Sequence, residues 1–222
     1  MPTYRGLKTI FVHIPKAAGS GIANRLWTTN KGTGEDSLEY EKHESILNVQ
    51  AYLEPAAFNE YFKFAMVRNP YDRLVSWYHY YQDLWRSGKA EINPCNPEHI
   101  EQFLDMDFLT YAISLKSPYE WDCHTGVACP HHMIAPQYKY IIGYGDFILV
   151  DFVGRVEELD ANWKIVCART GMDYQILEVV NKTEHKPWQS YYTNGWARQN
   201  VRRLYEKDFK YFGYSHHFRT LK

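Results

Sequence analysis

The chain has 222 residues, 45% hydrophobic and 23% charged, which is the balance of a globular protein with one sizeable core. Its 25 Lys and Arg against 26 Asp and Glu leave a formal charge of −1, so it is no coat for nucleic acid or an acidic membrane, although a small basic pocket is still allowed. No stretch approaches the ~18 uninterrupted apolar residues of a membrane span, and the polar run Met1 to Lys8 has no signal-peptide pattern.

Lys8 to Ile14 (KTIFVHI) reads as a buried strand, stopped by Pro15. Lys16 to Gly21 (KAAGSG) is a small-residue turn, and Ile22 to Trp27 is the helix it opens. Strand, tight turn and helix together gather backbone N–H groups and a helix N-terminus at one point. Thr28 to Ser37 reads as a polar loop, and Ile46 to Leu53 and Pro55 to Glu60 as short helices. Lys63 to Val67 (KFAMV) is a second buried strand. Asn69 then caps a helix, Pro70 suits its first position, and Asp72 meets the helix dipole at the third. That helix runs to Trp85 and ends at Ser87-Gly88.

Ile100 to Leu115 reads as one helix, and Lys116 to Gln137 as a long irregular insert of the kind that carries function. Tyr138 to Ile142 and Phe147 to Val153 flank Gly143 to Asp146, a hairpin signature. Glu157 to Thr170 is helical and closed by Gly171, and Trp196 to Phe209 is a last amphipathic helix with Arg198, Arg202 and Arg203 on its polar side. With no repeat or linker, residues 1–222 read as a single domain.

Two segments carry chemistry. In His13-Ile14-Pro15-Lys16-Ala17-Ala18-Gly19-Ser20-Gly21 the turn N–H groups can bind phosphate oxygens while the lysine neutralises charge, and glycine permits a close backbone approach. This is not a Walker A loop, because the lysine precedes the glycines and no Ser or Thr follows it to hold Mg²⁺. In Phe64 to Ser76 (FAMVRNPYDRLVS), Arg68 ends a buried strand and projects at the carboxyl edge of a sheet. Ser76 follows about two helical turns later, and an arginine with a hydroxyl there holds a phosphate by charge-assisted hydrogen bonds. Arg73 and Asp72 read as surface charges, and His13 as core packing. Cys123, His124, Cys129, His131 and His132 form a run open to metal, local disulfide or free thiols. The four cysteines are too few for a disulfide scaffold.

Together, Phe11 to Lys16 with its small-residue turn and Phe64 to Ser76 resemble the sulfotransferases that use 3′-phosphoadenosine 5′-phosphosulfate (PAPS), in particular the carbohydrate branch with heparan sulfate 2-O-sulfotransferase and its bacterial relatives. Phe147 to Glu158 with Trp163, Asn181-Lys182-Thr183, and Tyr205 to Phe209 followed by Phe212-Gly213-Tyr214 are similar to further family blocks. The resemblance implies an α/β, P-loop NTPase-like three-layer fold, with a central mainly parallel sheet flanked by helices. It gives the 5′-phosphosulfate to Lys16, Ala18, Gly19, Ser20 and Gly21, and the 3′-phosphate to Arg68 and Ser76. The resemblance also implies Arg155, Lys182 and Thr183 as nucleotide-lining residues, with a structural ion pair to Glu157 or Glu158 as the alternative for Arg155. Relatives often carry Thr or Ser where this chain has Ala17, Ala18 and Gly21, which leaves Ser20 as the main hydroxyl.

By the same resemblance His43, between the two phosphate motifs, is the general base. An imidazole with a pKa near ~6.5 accepts a hydroxyl proton at neutral pH. The implied reaction is an in-line displacement at sulfur, with Lys16 stabilising the leaving group and 3′-phosphoadenosine 5′-phosphate as product. No metal is expected, since a sulfuryl group carries less charge than a phosphoryl group. The acceptor expected is a carbohydrate hydroxyl, with Tyr78, Tyr80, Tyr81 and Trp85 offering a sugar platform or core packing. Other readings are a degenerate fold that binds nucleotide or sugar without turnover, a P-loop kinase, and a metal protein built on the Cys123 to His132 run. The compartment expected is the cytoplasm; the alternative is a lumenal domain excised from a membrane-anchored Golgi-type enzyme.

Overall fold

The computed structural model describes residues 2–34, 37–39, 42–88, 97–117, 131–178 and 184–216. The chain opens with β1 (Pro2–Tyr4), β2 (Thr9–Val12), α1 (Gly19–Lys31) and β3 (Ser37–Glu39). Helices α2 (Ile46–Tyr52) and α3 (Pro55–Glu60) lead to β4 (Phe62–Val67) and α4 (Pro70–Arg86). Then come α5 (Pro97–Asp105), α6 (Phe108–Ser114), α7 (His131–Ile134) and α8 (Tyr138–Ile141). The last elements are β5 (Phe152–Arg155), α9 (Leu159–Thr170), α10 (Gly195–Leu204) and α11 (Glu206–Tyr211). Two compact units result, Met1–Arg68 with Gln137–Asn181, and Asn69–Pro136 with Lys182–Lys222.

The first unit is built on a sheet of order β3-β1-β2-β4-β5. β2, β4 and β5 pair in parallel, and β1 runs antiparallel to both β2 and β3. Phe11 lies opposite Phe64 in the register, with their rings stacked at 4.8 Å. On that face Phe11, Phe64 and Met66 pack with Ile22 and Leu26 of α1 and Trp163, Val166 and Cys167 of α9. Each such side chain contributes about 1.5–3 kcal/mol by leaving water. On the other face Ile10, Val12, Ala65 and Val67 are equally buried. Burial on both faces explains why β2 and β4 read as continuous apolar runs with no alternation. Lys63 is the exception: its nearly buried ammonium donates to the carbonyls of Phe58 and Tyr61 and pairs with Asp151 at 3.1 Å.

Two expectations in this unit need correction. α1 starts at Gly19 and takes in the first four residues of the stretch read as a polar loop, ending at Lys31. The polar end is helical because Asn30 is buried and its side chain accepts a hydrogen bond from the Gly6 N–H. The expected hairpin is reduced to a turn. Tyr138–Ile141 is one helical turn, Ile142 and Ile148 form an isolated antiparallel bridge, and Phe152–Arg155 pairs in parallel with β4. The Asp151 N–H donates to the Lys63 carbonyl and the Asp151 carboxylate accepts from the Lys63 N–H, which draws the segment onto the β4 edge. α9 ends as its sequence predicts, on Gly171 in the left-handed region (φ 70°).

The second unit is helical. Asn69 caps α4 by accepting from the Tyr71 N–H, with Pro70 at the first position, as the sequence predicts. The helix read over residues 100–115 is broken instead into α5 and α6. The Tyr78 hydroxyl donates to the Met106 carbonyl, and Asp107 caps α6 by accepting from the Thr110 N–H. The last helix breaks at Tyr205 (φ −115°, ψ 25°), whose hydroxyl donates to the buried Ile134 carbonyl. Arg73 is buried and not a surface charge, donating to the carbonyls of Met133 and Ala135. Tyr78 packs against Phe103, Phe108 and Tyr111, and Tyr81 against Phe103 and Trp77.

Candidate functional site

At the carboxyl end of β2 the chain makes the turn His13 to Ala18 and enters α1. Lys16 (φ 62°) and Ala18 (φ 58°) are both left-handed, a conformation that costs a residue with a Cβ about 1–3 kcal/mol unless its surroundings impose it. The turn is held by the Ile14 and Ala17 N–H groups, which donate to the Val12 and Ile14 carbonyls, and by Arg68, whose guanidinium donates to the Lys16 carbonyl at 3.4 Å. Left-handed residues in such a turn let neighbouring N–H groups converge, the geometry of an anion-binding concavity.

The helix behind the turn suits an anion electrostatically. Ala18 gives α1 no side-chain cap, and its first turn has no acidic residue. The positive end of this 13-residue helix therefore has no counter-charge from its own first turn. The half-buried Ser20 sits in that first turn. The two glycines, however, make room for protein. A Cβ on Gly19 would lie 1.9 Å from Cδ2 of His13, and one on Gly21 2.6 Å from the Glu178 carbonyl oxygen.

His43 stands beside the turn. Its Nδ1 is 2.8 Å from the His13 carbonyl oxygen. A carbonyl only accepts, so Nδ1 carries the proton and Nε2 is the basic nitrogen of the neutral ring. The His13 ring is buried, at 3% exposure, and meets His43 edge-on at 4.7 Å. Burial first, then the neighbouring charges of His43 and Lys42, holds the His13 imidazole well below the usual histidine range.

Arg68 follows β4 at the same edge, and Arg155 ends β5 opposite Val67. Lys16, Arg68 and Arg155 thus stand at the carboxyl ends of three adjacent parallel strands, where ligands bind in open α/β sheets. Sequence reasoning missed the residue that fixes Arg68. Gln137 is fully buried, accepts from the Arg68 N–H and donates to the Arg68 carbonyl, both at 2.8 Å. Its amide replaces the next rung of the sheet. Nothing near it in sequence marks it, because the partnership spans 69 residues.

Ser76 is buried on α4 in the second unit, at 3% exposure. Tyr78 and Tyr81 belong to that unit's core, while Tyr80 and Trp85 are half-buried. His79 stacks on His185 at 5.5 Å, its Nε2 buried without a hydrogen-bond partner. Arg203 donates to the Lys116 carbonyl and to Asn200, which ties part of the α10 arginine row to the fold. Lys182 and Thr183 lie outside the described residues, as do Cys123, His124 and Cys129. Among the described residues no group of three or more His, Cys, Asp or Glu side chains is placed to hold a metal, and no helix is long and apolar enough to cross a membrane.

Comparison with known proteins supplies the family. Neither the curated proteins nor the solved structures include a match to this chain. The profile of the sulfotransferase family matches residues 5–215, nearly the whole chain and every site residue named above. With a basic strand edge, an uncapped helix behind a lysine turn and a histidine beside it, the chain belongs to the sulfotransferase family.

Proposed function

We propose that the protein transfers a sulfuryl group from PAPS to an acceptor hydroxyl, borne by a carbohydrate, with His43 as the base. The observation that carries this reading is the Nδ1–H bond from His43 to the His13 carbonyl, which makes Nε2 the basic nitrogen of the neutral ring. PAPS supplies a sulfuryl group already activated on a phosphate leaving group. Nε2 of His43 takes the acceptor's proton as its oxygen attacks. Lys16 and the first-turn N–H groups of α1 hold the negative charge that grows on the leaving side. The guanidinium fork of Arg68 takes the 3′-phosphate, and the Ser76 hydroxyl is assigned to the same phosphate on the family resemblance. Arg155, with Lys182 and Thr183, is assigned to the nucleotide on the same ground. In this reading the first unit is P-loop NTPase-like, its lysine turn standing where a P-loop would, and residues 1–222 act as a single sulfotransferase domain. The carbohydrate acceptor rests on the likeness to the heparan sulfate 2-O-sulfotransferase branch.

The test is calorimetric binding of 3′-phosphoadenosine 5′-phosphate, without Mg²⁺, to the wild type and to Arg68→Ala. Charge-assisted hydrogen bonds to one phosphate contribute about 1.5–3 kcal/mol, so the variant should bind roughly 10- to 100-fold more weakly. No binding, or equal binding of AMP, would remove the 3′-phosphate site and the reading with it.

A further inference from the structure

We infer that His13 is a positioning residue, whose ring and carbonyl together lock His43 in the orientation and tautomer a base requires. The inference rests on the reading of His43 as the base. His13 touches both halves of the site. Its carbonyl accepts from Nδ1 of His43. One ring face stacks on Phe11 at 5.5 Å, and the ring meets His43 at 4.7 Å and 69°. Its Cδ2–Nε2 edge fills the space beside Gly19, where a Cβ would come within 1.9–2.0 Å of both atoms. The ring is thus wedged between the strand, the start of α1 and the base.

Packing alone does not account for a histidine here. Its Nδ1 is buried with no hydrogen-bond partner among the described residues, a loss that an apolar side chain would avoid. What the imidazole contributes is a flat wedge that stays neutral. A proton on His13 would be buried and would face the charges of His43 and Lys42. His13 is the buried ring of the pair and His43 the half-exposed one, the difference of environment that separates the roles of two titratable neighbours. Gly19 is part of the same device, because any larger residue would collide with the wedge and displace it.

The test is made on the full chain with ¹⁵N-labelled histidine, by long-range ¹H–¹⁵N spectra of the His43 ring from pH 5 to 8. The wild type should give one tautomer with the proton on Nδ1. A wild-type His43 protonated on Nε2, or averaging between tautomers, overturns the inference by itself. In His13→Ala and Gly19→Ala, shown to be folded by near-UV circular dichroism, the backbone carbonyl stays but the wedge is removed or displaced, so the single Nδ1–H tautomer should give way to averaging and the His43 titration midpoint should move. kcat/KM should fall about tenfold or more, part of the ~10²–10⁴-fold a general base supplies. Variants that keep both the tautomer and the midpoint refute the role of His13. The spectra need no turnover, so a failure of the base reading is seen separately, as full activity in His43→Ala.

Discussion

Replacing His13 by leucine should flatten the acid side of the stability curve. The native state holds His13 neutral because it is buried beside His43 and Lys42. The unfolded chain protonates the same residue near the ordinary value of about 6.5. Below that pH the unfolded state binds a proton the native state refuses, so stability falls as the pH falls. With the native imidazole held below the usual histidine range, going from pH 7.5 to 5.5 should remove stability through this residue, up to a ceiling of about 1.4 kcal/mol set by the unfolded chain. At a urea dependence of about 2 kcal/mol per molar, the wild-type midpoint should drop further than that of His13→Leu, by up to about 0.7 M. Burial, then His185, lowers His79 in the same direction, and His79 is present in both proteins, so it leaves the difference untouched. Urea titrations at pH 7.5, 6.5 and 5.5 measure it. Parallel wild-type and variant lines would refute the argument, since His13 would then be protonated equally in both states.

Two further substitutions probe the frame of the site. Gln137→Leu removes its two hydrogen bonds to the Arg68 backbone; at about 1–3 kcal/mol each, the variant should lose roughly 2–6 kcal/mol and bind 3′-phosphoadenosine 5′-phosphate more weakly. Calorimetry on Gln137→Leu, Arg68→Ala and the double variant should find the effects non-additive, and simple additivity would separate Gln137 from the Arg68 site. Lys63→Met strips the bonds to Phe58, Tyr61 and Asp151 from a nearly buried ammonium. The half-exposed Asp151 keeps the loss near the lower end for a broken buried pair, about 3 kcal/mol or a 6–12 °C drop in Tm. Asp151→Asn on that background should restore part of the drop, and thermal denaturation of the two variants decides it.

The sequence by itself determined the elements whose signals are local. β2 and β4 are apolar runs, α4 announces itself by Asn69 and Pro70, α9 ends on Gly171, and Lys16 and Arg68 follow strands whose ends the sequence marks. Each depends on φ/ψ preference or capping within a few residues, so it can be read from the chain without its fold. Only the tertiary structure decided the rest, because the partners are distant in sequence. Gly6 makes Asn30 helical, Tyr78 parts α5 from α6, and Lys63 draws Asp151 and β5 to its edge. Gln137 holds Arg68 across 69 residues, and Gly19 is glycine because the His13 ring fills the space a Cβ would take. A buried polar group must find its hydrogen bond wherever the fold brings a partner, and no local pattern says where that is.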